Sequence, residues 1–197
     1  MKGITYIEAQ EPDLQRTVKS LAEYFAESWT KRQSPHNPGD VQQEYTKSLE
    51  ILQDSLPARF SKVIDQAQSK LPTLFLPSYP SALVHDDLNE MNILIGEDSC
   101  ITGVIDWAGA GVVPFGKSLY ALENLLGSMG PGGWHYSDDR NTLEELFWQT
   151  FYVAVGVVTQ DNKDTIQVSR TIGILFRSYP NYIKRHETML GDELLRS

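Results

Sequence analysis

Two stretches constrain this chain more than any other feature: "LVHDDLNEMNI" at residues 83–93 and "VIDWAG" at residues 104–109. His85 and Asp87 stand two apart, Asn92 follows five residues after Asp87, and Asp106 comes fourteen residues after Asn92. Apolar runs that read as strands flank these polar groups. A carboxylate in such surroundings costs free energy unless it is paired, protonated or bound to a metal ion. The spacing therefore calls for a fold that closes the two stretches on each other, and for a chemistry that uses what is gathered there.

Size and composition bound the rest. A chain of 197 residues with 41% hydrophobic residues is long enough for one domain, expected over 1–197, with a packed core. Its 26 acidic and 17 basic residues give a formal charge of −9, and no Lys/Arg cluster could track a phosphate backbone. Nucleic acid and anionic membrane surfaces are thus not expected partners. A polyphosphate ligand would need a metal ion or helix N-termini to offset repulsion. Cys100 is the single cysteine, which excludes an intrachain disulfide and fits a reducing compartment. The start, "MKGITYIEAQEPD", has no continuous apolar leader core, and no window approaches membrane-spanning length. The expectation is a soluble, cytoplasmic protein.

Periodicity orders the chain into helices, a small β unit and more helices. "GITYIEAQ" alternates and reads as a short strand or extended entry segment. From Pro12, Leu14, Val18, Leu21, Ala22, Phe25 and Trp29 share one helical face. A capping box at Asp40 and Gln43 predicts a second helix carrying Tyr45, Leu49 and Leu52, and a Ser55 cap before Pro57 predicts a third. "ALV", "NILIG" and "CITGVIDW" read as strands, with "GEDS" as the turn between the last two. Helical spacing returns at Leu119, Leu122, Leu125 and Leu126, and "GSMGPGGW" reads as a flexible break. Asn141 with Glu144 predicts a helix to about Val153, and another runs from about Asp164 to Ser178, stopping before Pro180. "GDELLRS" at the end reads as a further turn or two.

If the predicted hairpin joins the two polar stretches, Asp87 and Asp106 face a common cleft with Asn92 nearby. Oxygen ligands from an Asn and an Asp suit a hard cation such as Mg²⁺, which takes waters and phosphate oxygens for its other positions. Asp87, not needed as a ligand, is then available to accept a proton from a hydroxyl or to orient it. Phosphoryl transfer needs that division of labour. His85 is expected to hold the loop by hydrogen-bonding backbone.

The pattern H-x-D-L-x-x-x-N-I-L, joined by a hairpin-length spacer to V-I-D-W, resembles the aminoglycoside phosphotransferase/choline kinase-like family, relatives of the protein kinases. "VPFGKSLYALE" is similar to fungal-type members. The resemblance implies an α+β, mainly α-helical fold: a protein-kinase-like C-terminal lobe with a small β hairpin at the active cleft. It implies Asp87 as catalytic base with His85 beside it, Asn92 and Asp106 as the Mg²⁺ ligands that also hold the nucleotide, and Mg²⁺ and ATP as cofactors. It extends over roughly residues 3–180. In that frame residues 1–10 look like the hinge, so the N-lobe, with its nucleotide-covering loop and phosphate-pairing Lys, is expected to be missing. No Walker-type G-x-x-x-x-G-K-[ST] pattern replaces it, because "GPGG" lacks the Lys.

The chain also departs from the family. Members often place an acidic residue after the Trp and a further Asp in a D-P-x-x-D-L run; here Ala108, Pro114 and Ser118 stand instead. Fewer carboxylates remain to recognise a cation, so a polycationic aminoglycoside is a poor expected substrate. Trp134 and Tyr136, beside the Gly-rich stretch, are candidates for the acceptor pocket wall, while Trp29, Trp107 and Trp148 read as core or wall. Asp86 reads as a solvent-facing turn residue and Cys100 as an inert packed thiol. The expected function is Mg²⁺·ATP-dependent phosphorylation of a small-molecule hydroxyl. Loss of the lobe's Lys would impair it, since one such contact is worth on the order of two to three powers of ten in rate. Two alternatives stay open. One is a repurposed C-lobe using His85, Asp87 and Asp106 for nucleotide-independent acid–base chemistry. The other is a pseudokinase-like remnant whose exposed face binds a partner or a second copy.

Overall fold

The computed structural model describes residues 3–9 and 11–182. Helices α1 (Leu14–Thr30), α2 (Pro38–Ser55), α3 (Ser61–Lys70), α4 (Tyr120–Leu126), α5 (Arg140–Val155) and α6 (Gln160–Tyr182) carry most of the core. Of the predicted stripe of α1, Val18, Leu21, Ala22, Phe25 and Trp29 are buried and Leu14 is half-buried; Ala26 joins them inside. Asp13 caps this helix by accepting from the Arg16 N–H at 3.2 Å. The centre is aromatic. Phe115 meets Trp29 edge-on at 5.0 Å and stacks on Phe151 at 5.8 Å, so α1, α5 and the chain entering α4 share one cluster.

Seven short strands form three antiparallel sheets among the described residues: β1 (Ile4–Thr5), β2 (Ser81–Val84), β3 (Ile93–Ile95), β4 (Ile101–Val104), β5 (Gly111–Pro114), β6 (Gly127–Gly130) and β7 (Gly133–Tyr136). The expected hairpin is β3–β4, with Ile93 opposite Val104, and β1 adds to its other edge with Ile4 opposite Ile95. Strand β2 instead pairs with β5, Ser81 opposite Pro114, a partner that the sequence pattern did not reveal. This second ribbon brings the chain after the IDW back against the strand that leads into His85. The fold is mainly helical, with the polar cluster at the β3–β4 hairpin.

Several boundaries differ from expectation. Asn37 precedes α2, with Pro38 at its first position and Asp40 only in the first turn, so the Asp40–Gln43 box is not the start. Ser55 ends α2 rather than capping α3, because a 3₁₀ turn at Ala58–Phe60 intervenes. The "GSMGPGGW" stretch is the hairpin β6–β7, not a flexible break. Its glycines allow close approach: a Cβ on Gly127 would sit 2.6 Å from Trp134 Nε1. Helix α5 follows Asp139 and starts at Arg140, before Asn141. Helix α6 begins earlier than predicted and runs through Pro180 to Tyr182. "GDELLRS" lies outside the described residues. Among the described residues no helix is long and apolar enough to cross a membrane.

Candidate active site

The β3–β4 register places Asn92 across from Ile105, and the Ile105 N–H donates to the Asn92 carbonyl at 3.0 Å. His85, fully buried, completes the closure. Its Nδ1 accepts from the Asp87 N–H at 3.1 Å, which leaves Nε2–H to donate to the Ile105 carbonyl at 2.9 Å. The Trp107 ring packs edge-on against the imidazole at 4.9 Å. His85 thus locks backbone, as the sequence suggested, and the residue it locks is the one before Asp106.

Asp106 has φ +58, the left-handed region that Asp and Asn tolerate better than other side chains. That turn re-aims the chain after β4, and the Asp106 carboxylate is exposed. Asn92 is nearly buried, and its Nδ2 donates to the Asp87 carbonyl at 2.8 Å. This bond fixes the flip of the amide and leaves Oδ1 as its lone-pair donor. A hard oxygen from Asn92 and one from Asp106 fit Mg²⁺, which keeps waters and takes phosphate oxygens. No group of three or more His, Cys, Asp and Glu that could share an ion exists among the described residues. A cation at this hairpin would have to draw on those two side chains and on its substrate.

Asp87 is paired, and its partner is a residue that sequence reasoning missed. Arg177, on α6, places Nη1 2.5 Å from Asp87 Oδ1, while its guanidinium lies 4.7 Å over the Tyr120 ring. Tyr120 braces the same loop, donating to the Asp86 carbonyl at 2.9 Å and accepting from the Leu88 N–H at 2.8 Å. Partial burial pushes the Asp87 carboxyl up, but hydrogen bonds from Arg177 and Asn89 and the charge of Arg177 outweigh it, holding Asp87 below the usual aspartate range. Asp86 is exposed, as expected for a turn residue, yet it also has a cation: Lys117 Nζ lies 2.6 Å from its Oδ1.

Trp134 and Tyr136 both lie on β7 of the β6–β7 hairpin. Trp134 lies against Gly127 within its own hairpin. Tyr136 donates to Glu123 Oε2 at 3.3 Å and lies under Arg140 at 3.9 Å. Glu123 is itself buried and bonded to Arg170, which also reaches Glu144 at 2.6 Å. The hairpin is therefore pinned to α4, α5 and α6 by a buried ionic network. Cys100 falls in the turn before β4, where burial, together with Asp98, raises its thiol, in keeping with an unreactive group.

Comparison with known proteins places this geometry. The family model described as "Phosphotransferase enzyme family" matches residues 8–117. A sequence comparison with curated proteins finds no match. Among solved structures, a macrolide 2'-phosphotransferase of type I is similar with a TM-score of 0.54 and 14% identity, over 100% of this chain and 66% of that one. An aminoglycoside-3'-phosphotransferase of type VIII gives a TM-score of 0.53 and 16% identity, over 89% and 66%. The macrolide 2'-phosphotransferase MphH from Brachybacterium faecium gives 0.51 and 14%, over 91% and 59%. The chain thus spans at most 66% of these phosphotransferases, and at such identities the likeness is one of fold. The family match covers 110 of the 197 residues and includes both polar motifs, so the chain belongs to the phosphotransferase enzyme family.

Proposed function

We propose that this chain carries the acceptor-activating and metal-holding part of an ATP-dependent phosphotransferase acting on a small-molecule hydroxyl. One observation carries the reading: a closed set of hydrogen bonds, His85 to Ile105, Ile105 to Asn92 and Asn92 to Asp87, gathers the two motifs into one frame. Asp87 orients the acceptor hydroxyl and takes its proton. The acceptor oxygen then bonds to the terminal phosphorus of the donor as the bond to the leaving nucleoside diphosphate breaks. Asn92 and Asp106 would hold Mg²⁺, which when bound neutralises phosphate charge. His85 keeps Asp106 and Asp87 in fixed relation and has no contact with reactants.

Two titrations and one assay test this reading. Calorimetry with Mg²⁺·ATP should give metal-dependent binding that Asp106→Asn abolishes. Asn suits the left-handed backbone at this position, so the substitution removes charge without adding strain. With a hydroxyl acceptor in hand, Asp87→Asn should lower transfer by roughly two to four powers of ten, as loss of a general base does. Nucleotide binding that ignores Asp106, or turnover that ignores Asp87, would overturn the assignment.

A further inference from the structure

We propose that Arg177 selects the charge of the acceptor: the hydroxyl compound that reaches Asp87 carries an oxyanion, a carboxylate or phosphate, which Arg177 takes over from Asp87. The inference rests on the reading of Asp87 as the group that orients the acceptor. Arg177 arrives from α6, ninety residues along the chain, and presents Nη1 to Asp87 Oδ1. Asp87 is exposed and Arg177 half-buried, with side chains 59% and 33% exposed. An ion pair this open is worth about 0–1 kcal/mol, so exchanging one oxyanion for another on the guanidinium costs little.

The exchange is not symmetric for other ligands. A neutral hydroxyl can reach a lone pair of the exposed Asp87 carboxylate but offers Arg177 no partner. An acceptor with an adjacent oxyanion offers the guanidinium a planar, charge-matched partner while its hydroxyl turns to Asp87. A polycation finds the reverse: Asp87 is held by Arg177, and the neighbouring Asp86 by Lys117 at 2.6 Å. The net charge of −9 disfavours anions at long range. Screening over about 8 Å at physiological ionic strength leaves the choice to the local cations.

Calorimetric titration of the whole chain with gluconate, sorbitol and glucosamine tests this, since these probes offer related polyol frames with negative, zero and positive charge. Gluconate should bind about three- to fivefold more tightly than either of the others, the upper worth of one open ion pair. Arg177→Met, which keeps an apolar cover on Tyr120, should erase that preference, and Arg177→Lys should retain part of it. Thermal melting of each variant shows whether it is folded. Equal affinity for the three probes, no binding of gluconate, or a preference that survives in folded Arg177→Met overturns the proposal. Mg²⁺·ATP titration of the same preparations separates the two readings. Nucleotide binding without gluconate preference removes only the acceptor assignment, and gluconate preference without nucleotide binding removes only the phosphotransfer.

Discussion

The imidazole of His85 is buried with both ring nitrogens used, one on the Asp87 N–H and one on the Ile105 carbonyl. Its removal would strand two backbone groups in the interior and open a void. Each stranded group costs about 1–3 kcal/mol, so His85→Ala should destabilise the fold by about 2–5 kcal/mol, read as a fall in the urea midpoint. The companion prediction concerns backbone: Asp106→Ala should cost about 1–2 kcal/mol of stability that Asp106→Asn does not, because φ +58 strains a residue without a short polar side chain. His85, Asp87, Asn92 and Asp106 were readable in the sequence because they lie in two short motifs with fixed spacing. Arg177 was not, since a salt bridge across ninety residues leaves no local pattern, and only the course of α6 brings it to the loop.

Helix α6 works as an element because Arg170, Gly173 and Arg177 follow one another at spacings of three and four, on one face. Arg170 reaches the hairpin network, Arg177 reaches Asp87 in the loop after β2, and Gly173 lets the helix lie against the turn at Lys117–Leu119. A Cβ at Gly173 would fall 1.8 Å from the Lys117 carbonyl oxygen, backbone that cannot step aside. Gly173→Ala should therefore push α6 outward and cost about 3 kcal/mol, the upper end of overpacking, while also loosening the Arg177–Asp87 pair. Denaturant midpoints and the anion preference described above would both register it. Helical periodicity predicts this element but ends it at Ser178, before Pro180, because a proline reads as a stop, whereas the helix runs on to Tyr182. The β6–β7 hairpin was misread for a related reason: its glycines, taken as signs of flexibility, give Trp134 room to lie on the neighbouring strand.

Over the whole molecule, the interior has one large ionic feature among the described residues. Glu123 and Arg170 are buried, Arg170 bonds both Glu123 and Glu144, and Arg140 adds a contact to Glu123 at 3.6 Å. A buried charge that loses its nearer partner is expensive, so Arg170→Met should cost about 3 kcal/mol, the lower end for a broken buried pair, because Glu123 keeps only the longer Arg140 contact. The pH dependence follows from Glu144. Burial raises its carboxyl, but the charge and hydrogen bond of Arg170 and the charge of Arg140 win, so it sits below its ordinary 4.5 in the folded chain. The unfolded chain therefore binds a proton first. Its contribution to stability is complete above the ordinary value and disappears as pH falls through the depressed one. Relief of the −9 charge acts in the opposite sense between neutrality and about pH 5, and salt near 0.15 M suppresses that term because it arises among exposed, screened groups. Urea midpoints at that ionic strength should stay level down to about pH 5 and then fall. In Glu144→Gln the neutral midpoint should be lower and the acid decline shallower, the two curves approaching each other as pH falls through the depressed range of Glu144. Parallel curves would mean that Glu144 is not the group whose protonation loosens the junction of α4, α5 and α6.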